Sequence, residues 1–189
     1  MIGIVYRVTS LMGVLERRMR RLSGDERGVS AVEFALLAPL MLTLYLGAVE
    51  VSQGIGALRK VTLTARTICD LVSQVSSINN TDMTNALSAS SSVMVPYPTE
   101  NLKVTVTSVK IGANGTATVD WSDALNGTAR SKGSSVTLPA PLKVPGTWLI
   151  WSEVEYTYKP VVGYVVTGTL PLKDMIYMRP RLSDDVKRI

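Results

Sequence analysis

The chain has 189 residues, a formal charge of +5, no His and one Cys. No intramolecular disulfide can form, and His-based catalytic triads and His or multi-Cys metal sites are excluded. Apolar residues make up 46% of the chain and the mean hydropathy is +0.21, high for a small soluble domain and in keeping with one membrane segment.

In residues 1–28, Ile4, Val8, Leu11, Leu15, Met19 and Leu22 recur at helical steps of three and four, with arginines on the other face. Two readings stand: a basic amphipathic helix on the inner membrane surface, or an extended leader without fixed structure. "SGDERG" (23–28) then breaks the pattern. Arg17, Arg18, Arg20, Arg21 and Arg27 precede an apolar run, and Glu50 to Leu58 behind it carry no Lys or Arg. That asymmetry is the positive-inside pattern and predicts a cytoplasmic N-terminus with residues 80–189 in the periplasm. No basic motif is interleaved with aromatics, so nucleic acid is not an expected partner.

From Val29 to Val49 the only charge is Glu33. As a helix this run spans about 31 Å, the thickness of a hydrocarbon core. Pro39 lies inside it, marks a candidate kink, and is better tolerated in a membrane helix than in a soluble one. Beyond Glu50 the apolar residues narrow to a stripe: Val51, Ile55, Leu58, Ala65, Ile68, Val72 and Val75, with Val61 or Thr62 bridging the gap. Ser52, Arg59, Lys60, Thr64, Arg66, Asp70 and Gln74 lie mostly off it. The helix is therefore expected to turn from apolar all round to amphipathic, and its second half to pack on a domain. "SSINNTD" (76–82) supplies residues to end it.

"NALSASSSVMVPYP" (85–98) reads as a Ser-rich connection. The period then changes to two: "LKVTVTSVKI" (102–111), the turn "ANGT" (113–116) and "ATVDW" (117–121) predict a hairpin. "TWLIWSEVEYTYKPVV" (147–162) is the strongest strand, with Pro160 marking its end or an edge, and "GTLPLKDMIYMRPR" (168–181) is placed to close the sheet. The expected fold is α+β, a long N-terminal helix packed on a C-terminal antiparallel sheet.

Catalytic chemistry finds little support. "DWSD" (120–123) and "SDD" (183–185) read as solvated turn residues, and Cys69, beside the helical stripe, as a small buried residue. No Gly-rich phosphate loop occurs. No catalytic residue, metal or cofactor is expected. The one sharp feature is Glu33, because a carboxylate at membrane depth is costly and usually functional. If a peptidase cuts after Gly28, Val29 gains an α-amino group one helical turn from Glu33. The two cannot easily satisfy each other within one helix, but a neighbouring helix shifted along its axis can bring its amine to this carboxylate. Glu33 then sets the register of assembling helices.

The pattern "G-VSAVE-F" before an apolar run resembles type IV pilin-like precursors, which a prepilin peptidase cuts after Gly. "DERGVSAVEFALLAPLMLTLYLGAVEVSQ", "RTICDLVSQVSSI" (66–78), "VTSVKIGANGTATVDWSDA" (106–124), "VEYTYKP" (154–160) and "MIYMRPR" (175–181) are similar to the TadE-like family of minor pilins or pseudopilins of tight-adherence (Tad) pili. The resemblance covers most of residues 24–181. It implies a processing site at Gly28 and Val29 and an assembly role for Glu33 and Phe34. It also implies a cytoplasmic leader (1–28), a transmembrane helix (29–50), an amphipathic helix continuing the span (51–80) and a periplasmic β-rich domain (81–189). The implied partners are a prepilin peptidase, the major Flp-type pilin, other minor pilins, the Tad inner-membrane assembly platform and inner membrane lipid.

Two other readings compete. In one, residues 29–56 are an ordinary signal sequence cut near "GIG" (54–56), or an anchor, for a periplasmic β-domain binding protein. Glu33 inside the apolar region and the stripe running across that site speak against it. The other, a membrane-anchored enzyme, lacks a convergent catalytic set.

Overall fold

The computed structural model describes residues 26–160, 163 and 167–189, with the backbone alone at 26 and 27. Both readings of the leader helix therefore lie outside the described residues. The described chain falls into two compact units that part between Gly47 and Ala48. The fold is α+β, with a long apolar N-terminal helix and an antiparallel sheet.

Helix α1 is Glu26–Ser73 and holds Pro39 within it. In its first part, up to Gly47, Ala and Leu favour the helix, and the ring of Pro39 removes the amide that would bond the carbonyl of Ala35. The hydroxyl of Thr43 donates to the Pro39 carbonyl at 2.8 Å.

In the second unit the helix buries Ala57, Val61, Thr64, Ala65, Ile68, Cys69 and Val72, a single face at steps of three and four. This corrects the expected stripe. Ala65, Ile68 and Val72 are on the buried face, but Val51, Ile55 and Leu58 are 51%, 48% and 41% exposed, and Thr64, placed off the stripe, is fully buried. Small residues decide the outcome. A Cβ at Gly56 would come within 2.7 Å of Tyr97 Oη, and one at Gly54 within 3.8 Å of Tyr158. Two tyrosines of the domain thus lie against Gly54 and Gly56, and Val51, Ile55 and Leu58 stay partly exposed beside that contact.

The helix stops at Ser73, short of residue 80. Strand β1 (Ser77–Ile78) follows, then helix α2 (Asn80–Met94). The Ser-rich "connection" is thus corrected to a helix. Asn79 caps it, its side chain accepting from the amide of Asp82 at 2.9 Å, and Met83, Leu87, Ser90 and Met94 form its buried face. The cap residues after α1 open the next helix; they do not merely close the previous one.

The main sheet has five antiparallel strands in the order β4-β3-β2-β5-β6: β2 (Leu102–Ile111), β3 (Ala117–Leu125), β4 (Ser135–Val136), β5 (Trp148–Tyr158) and β6 (Leu170–Met178). The predicted hairpin is present, with Gly115 at φ 76° in its turn. Leu102, Val104, Val106, Ile150, Val154, Tyr156 and Tyr158 pack with α1 and α2 in one core. On the other face Val109, Ile111, Ala117, Leu138, Leu149 and Trp151 form a second cluster.

Strand β3 serves both faces through a bulge. Ser108 pairs with Trp121 and Val109 with Val119, so Asp120 is the extra residue. The extra residue reverses alternation, and Trp121 joins the helix-side core while Ala117 joins the other. The reading of "DWSD" as a solvated turn is corrected as well: these residues lie within β3. Asp123 takes Arg188 at 2.9 Å and Asp120 takes Lys132 at 3.6 Å.

The C-terminal residues are tied to the domain. Strand β7 (Lys187–Arg188) pairs in parallel with β1. Trp121 Nε1 donates to the Val186 carbonyl at 2.6 Å. Arg188 bonds Asp123, Asn80 and the Ile78 carbonyl, and the hydrogen bond to Asp123 pushes its guanidinium pKa up.

Candidate functional site

Gly28, Val29, Glu33, Phe34 and Pro39 all lie in the first part of α1 and all are exposed. Val29 and Phe34 are 58% and 68% exposed, as are their neighbours Val32, Leu36 and Leu37 to similar degrees. One helix therefore brings the five residues into one short segment and holds Glu33 one turn beyond Val29. Among the described residues no cation forms an ion pair with Glu33.

Among the described residues nothing gives Gly28 a steric reason to be Gly. A Cβ built there meets nothing within 4 Å, and no positive φ demands it. The large side chains of this segment are likewise left exposed by the described residues. An 18-residue window of the helix reaches a mean hydropathy of 1.9, and none of it is buried. Such a surface is costly in water and at ease in hydrocarbon.

Cys69 is fully buried, and its Sγ donates to the Ile150 carbonyl at 3.2 Å. Burial pushes the thiol up to about 12, against weaker opposing hydrogen bonds from the backbone. A thiol so held carries almost no thiolate at neutral pH, so it behaves as a small core residue.

The outer sheet face carries a groove of about 760 Å³ lined by residues that include Lys103, Arg130, Glu153, Glu155 and Lys173. Its charges are largely matched. Arg130 pairs with Glu153 and lies 4.0 Å over the Trp151 ring. Lys173 bonds Glu155 at 3.0 Å and holds that carboxylate below its ordinary range.

Two groups stand out that the sequence did not single out. Glu50, the charge that ends the apolar run, is 3% exposed, and Tyr158 of β5 is 3% exposed. Burial, then Tyr97 and Glu50, push the Tyr158 phenol up. The only available signal was Glu50 itself, a lone charge where the apolar run becomes a stripe.

Residues 28–68 match the family model described as TadE-like protein, the family that this segment resembles. The match starts at Gly28 and takes in Glu33, Pro39 and most of the buried helix face. The match covers under half of the chain, and among the described residues one helix is long and apolar enough to fit a single-pass membrane anchor. No curated protein and no solved structure matches the chain.

Proposed function

We propose that the chain is the precursor of a minor pilin or pseudopilin that acts in assembly or initiation of a Tad-type adhesive pilus. A prepilin peptidase cuts after Gly28, and Val29 becomes the mature N-terminus. Residues 29–50 then span the inner membrane. The leader faces the cytoplasm, and the β-rich domain faces the periplasm and rides outward with the fibre. Glu33 and Phe34 act where neighbouring helices meet, and Pro39 lets the helix bend in that packing. The partners are the peptidase, the Flp-type major pilin, other minor pilins and the inner-membrane assembly platform. No enzymatic activity is assigned.

The observation that carries this reading is the lone Glu33 on an exposed apolar helix, inside a family match that opens at Gly28. A buried, unpaired carboxylate is strongly unfavourable in hydrocarbon, so a helix bearing one gains by meeting an amine. The freedom around Gly28 supports it too, since what requires Gly there is whatever reads the peptide bond. A signal peptidase cut near Gly54 and Gly56 is disfavoured, because Ala57 is in the core and Tyr97 Oη donates to the Gln53 carbonyl at 3.0 Å.

Mass spectrometry of the mature N-terminus tests the reading directly. Val29 is expected as the first residue, and Gly28→Val is expected to leave uncut precursor in the membrane. Normal maturation of that variant refutes the processing site. Glu33→Ala should leave the thermal melt of the full chain in detergent unchanged while abolishing its incorporation into fibres. A lowered melting temperature would instead make Glu33 a folding residue.

A further inference from the structure

Beyond the apolar run, the second unit keeps one apolar corner uncovered by the described residues. Val51, Ile55 and Leu58, at helical steps of four and three, are about half exposed, and Leu170 at the start of β6 is 38% exposed. These four side chains rim a hollow of about 250 Å³ whose wall also takes in Gly54, Pro160 and Leu172. Its surface is hydrocarbon almost throughout. The Glu50 carboxyl is engaged within the chain and the Tyr158 hydroxyl is sealed off, so neither asks anything of an occupant. Water is poorly held in such a hollow. Another side of the same turns is already taken: Ala57 and Val61 are fully buried, and Tyr97 Oη donates to the Gln53 carbonyl at 3.0 Å.

Continuity, charge and extent point to one cover for this corner. The helix runs on from the exposed apolar segment, so Val51, Ile55 and Leu58 prolong that surface on a single face. From Glu50 to Leu58 there is no Lys or Arg, and then Arg59 and Lys60 follow at once. Cations placed where an apolar surface ends suit a membrane edge, since their stems lie along hydrocarbon while their heads reach the phosphates. Taken alone, the four side chains are far fewer than the roughly 20–30 residues a side of a stable protein interface. Lipid demands no such extent and no shape match. Depth agrees in part and adds a constraint. At about 1.5 Å per residue, Val51 lies about 3 Å and Leu58 about 14 Å past Val49, against a headgroup layer of roughly 5–8 Å. An upright helix wets Leu58, whereas a lean toward this face, within the roughly 0–40° that membrane helices adopt, lowers it into the layer.

We propose that the corner formed by Val51, Ile55, Leu58 and Leu170 is a membrane-docking surface of the β-rich domain, seated at the headgroup–acyl boundary of the leaflet on the domain's side. The proposal rests on the reading of residues 29–50 as a membrane anchor. It adds that the domain itself touches lipid, through β6 as well as the helix, and that the helix leans toward that side. The domain is thereby held down on the bilayer until the helix is drawn out.

The test is spin labelling of the full chain in vesicles of phosphatidylethanolamine and phosphatidylglycerol. Single cysteines at the exposed positions 40, 51, 53, 55, 58 and 170 carry the nitroxide; the native Cys69 is fully buried and stays unlabelled. Accessibility to oxygen is compared with that to a water-soluble nickel chelate. Oxygen should dominate most at 40, then at 51, 55, 58 and 170 in falling order of depth, and the chelate should dominate at 53, which shares the level but not the face. Leu58→Asp should shift the label at 170 to the chelate and leave that at 40 unchanged. Chelate-dominated labels at 55, 58 and 170 with oxygen still dominant at 40 overturn the docking surface and leave the anchor standing. Equal lipid exposure at 53 and 55, or no response to Leu58→Asp, also overturns it. So does dipolar broadening at 55 or 58 that vanishes on dilution with unlabelled chain, which assigns the corner to a second copy. Chelate dominance at 40 as well would overturn the membrane anchor itself.

Discussion

The two parts of α1 use the same apolar alphabet to opposite ends. Before Gly47 the large side chains Leu36, Leu40, Met41 and Leu44 are more than half exposed among the described residues. After Ala48 the covered positions are mostly smaller: Ala57, Val61, Thr64, Ala65 and Cys69, with Ile68 the largest. Where the solvent is hydrocarbon, size costs nothing and no face is preferred. Where a folded sheet and its tyrosines must come close, the helix presents its smallest residues and turns its leucines away. Apolar content alone thus does not say which surface meets protein; the sizes along each face do.

Matched truncations in the two parts would break the comparison most sharply. Ile68→Ala removes a fully buried side chain and should destabilise the detergent-solubilised full chain by about 2–5 kcal/mol in denaturant titrations. Leu40→Ala, more than half exposed, should leave the same titration unchanged. Comparable losses at both sites would mean that the first part is also packed against protein.

A smaller effect separates adjacent residues on one turn. Ala57→Leu overpacks a fully buried position and should cost about 1–3 kcal/mol. Leu58→Gln, at a site 41% exposed, should cost less than about 1 kcal/mol in the same measurement. The reverse order would restore the stripe expected from the sequence and refute the rotated face.

The smallest expected effect is on pH dependence. The Cys69 thiol is raised from its ordinary 9.0 to about 12 in the folded chain. The unfolded chain therefore loses its proton first. The stability held by the neutral thiol is complete below pH 9 and falls as pH rises toward 12. By pH 10 the loss should be about 1 kcal/mol. Cys69→Ala should flatten the pH 8–10 profile of the melt while lowering it overall. Tyr156, Tyr158 and Tyr177, also raised by burial, act with the same sign at higher pH and should persist in the variant. An unchanged slope in Cys69→Ala would place the titration in those tyrosines.

The strands were legible because nothing competes with a period of two followed by a glycine turn: residues 102–111 form β2 as expected, and β5 ends at Tyr158 just before Pro160. Glu33 stands out in the sequence for a comparable reason, a charge where every neighbour is apolar. Helix α2 was hidden because its buried face counts Ser90 among its four members, and serine reads as a loop residue until its environment is known. The buried face of α1 was misplaced because small residues carry little weight in a hydrophobic pattern, although the domain selects them for close approach. Strands β1 and β7 have two residues each and exist only through each other and through Arg188, so no local signal marks them. Glu50 and Tyr158 are far apart in sequence, and only the fold brings them near each other.

The bulge in β3 makes the second half of that strand depend on a single residue count. With Asp120 present, Trp121 reaches inward to hold the Val186 carbonyl, and the C-terminal residues close over β1. Deleting Asp120 would change no apolar residue and no composition of note. It would nonetheless invert the parity of every position from Trp121 to Leu125, sending the indole outward and Asp123 away from Arg188. In this strand the spacing is information in its own right: one residue serves as the punctuation that tells the following five which side is in.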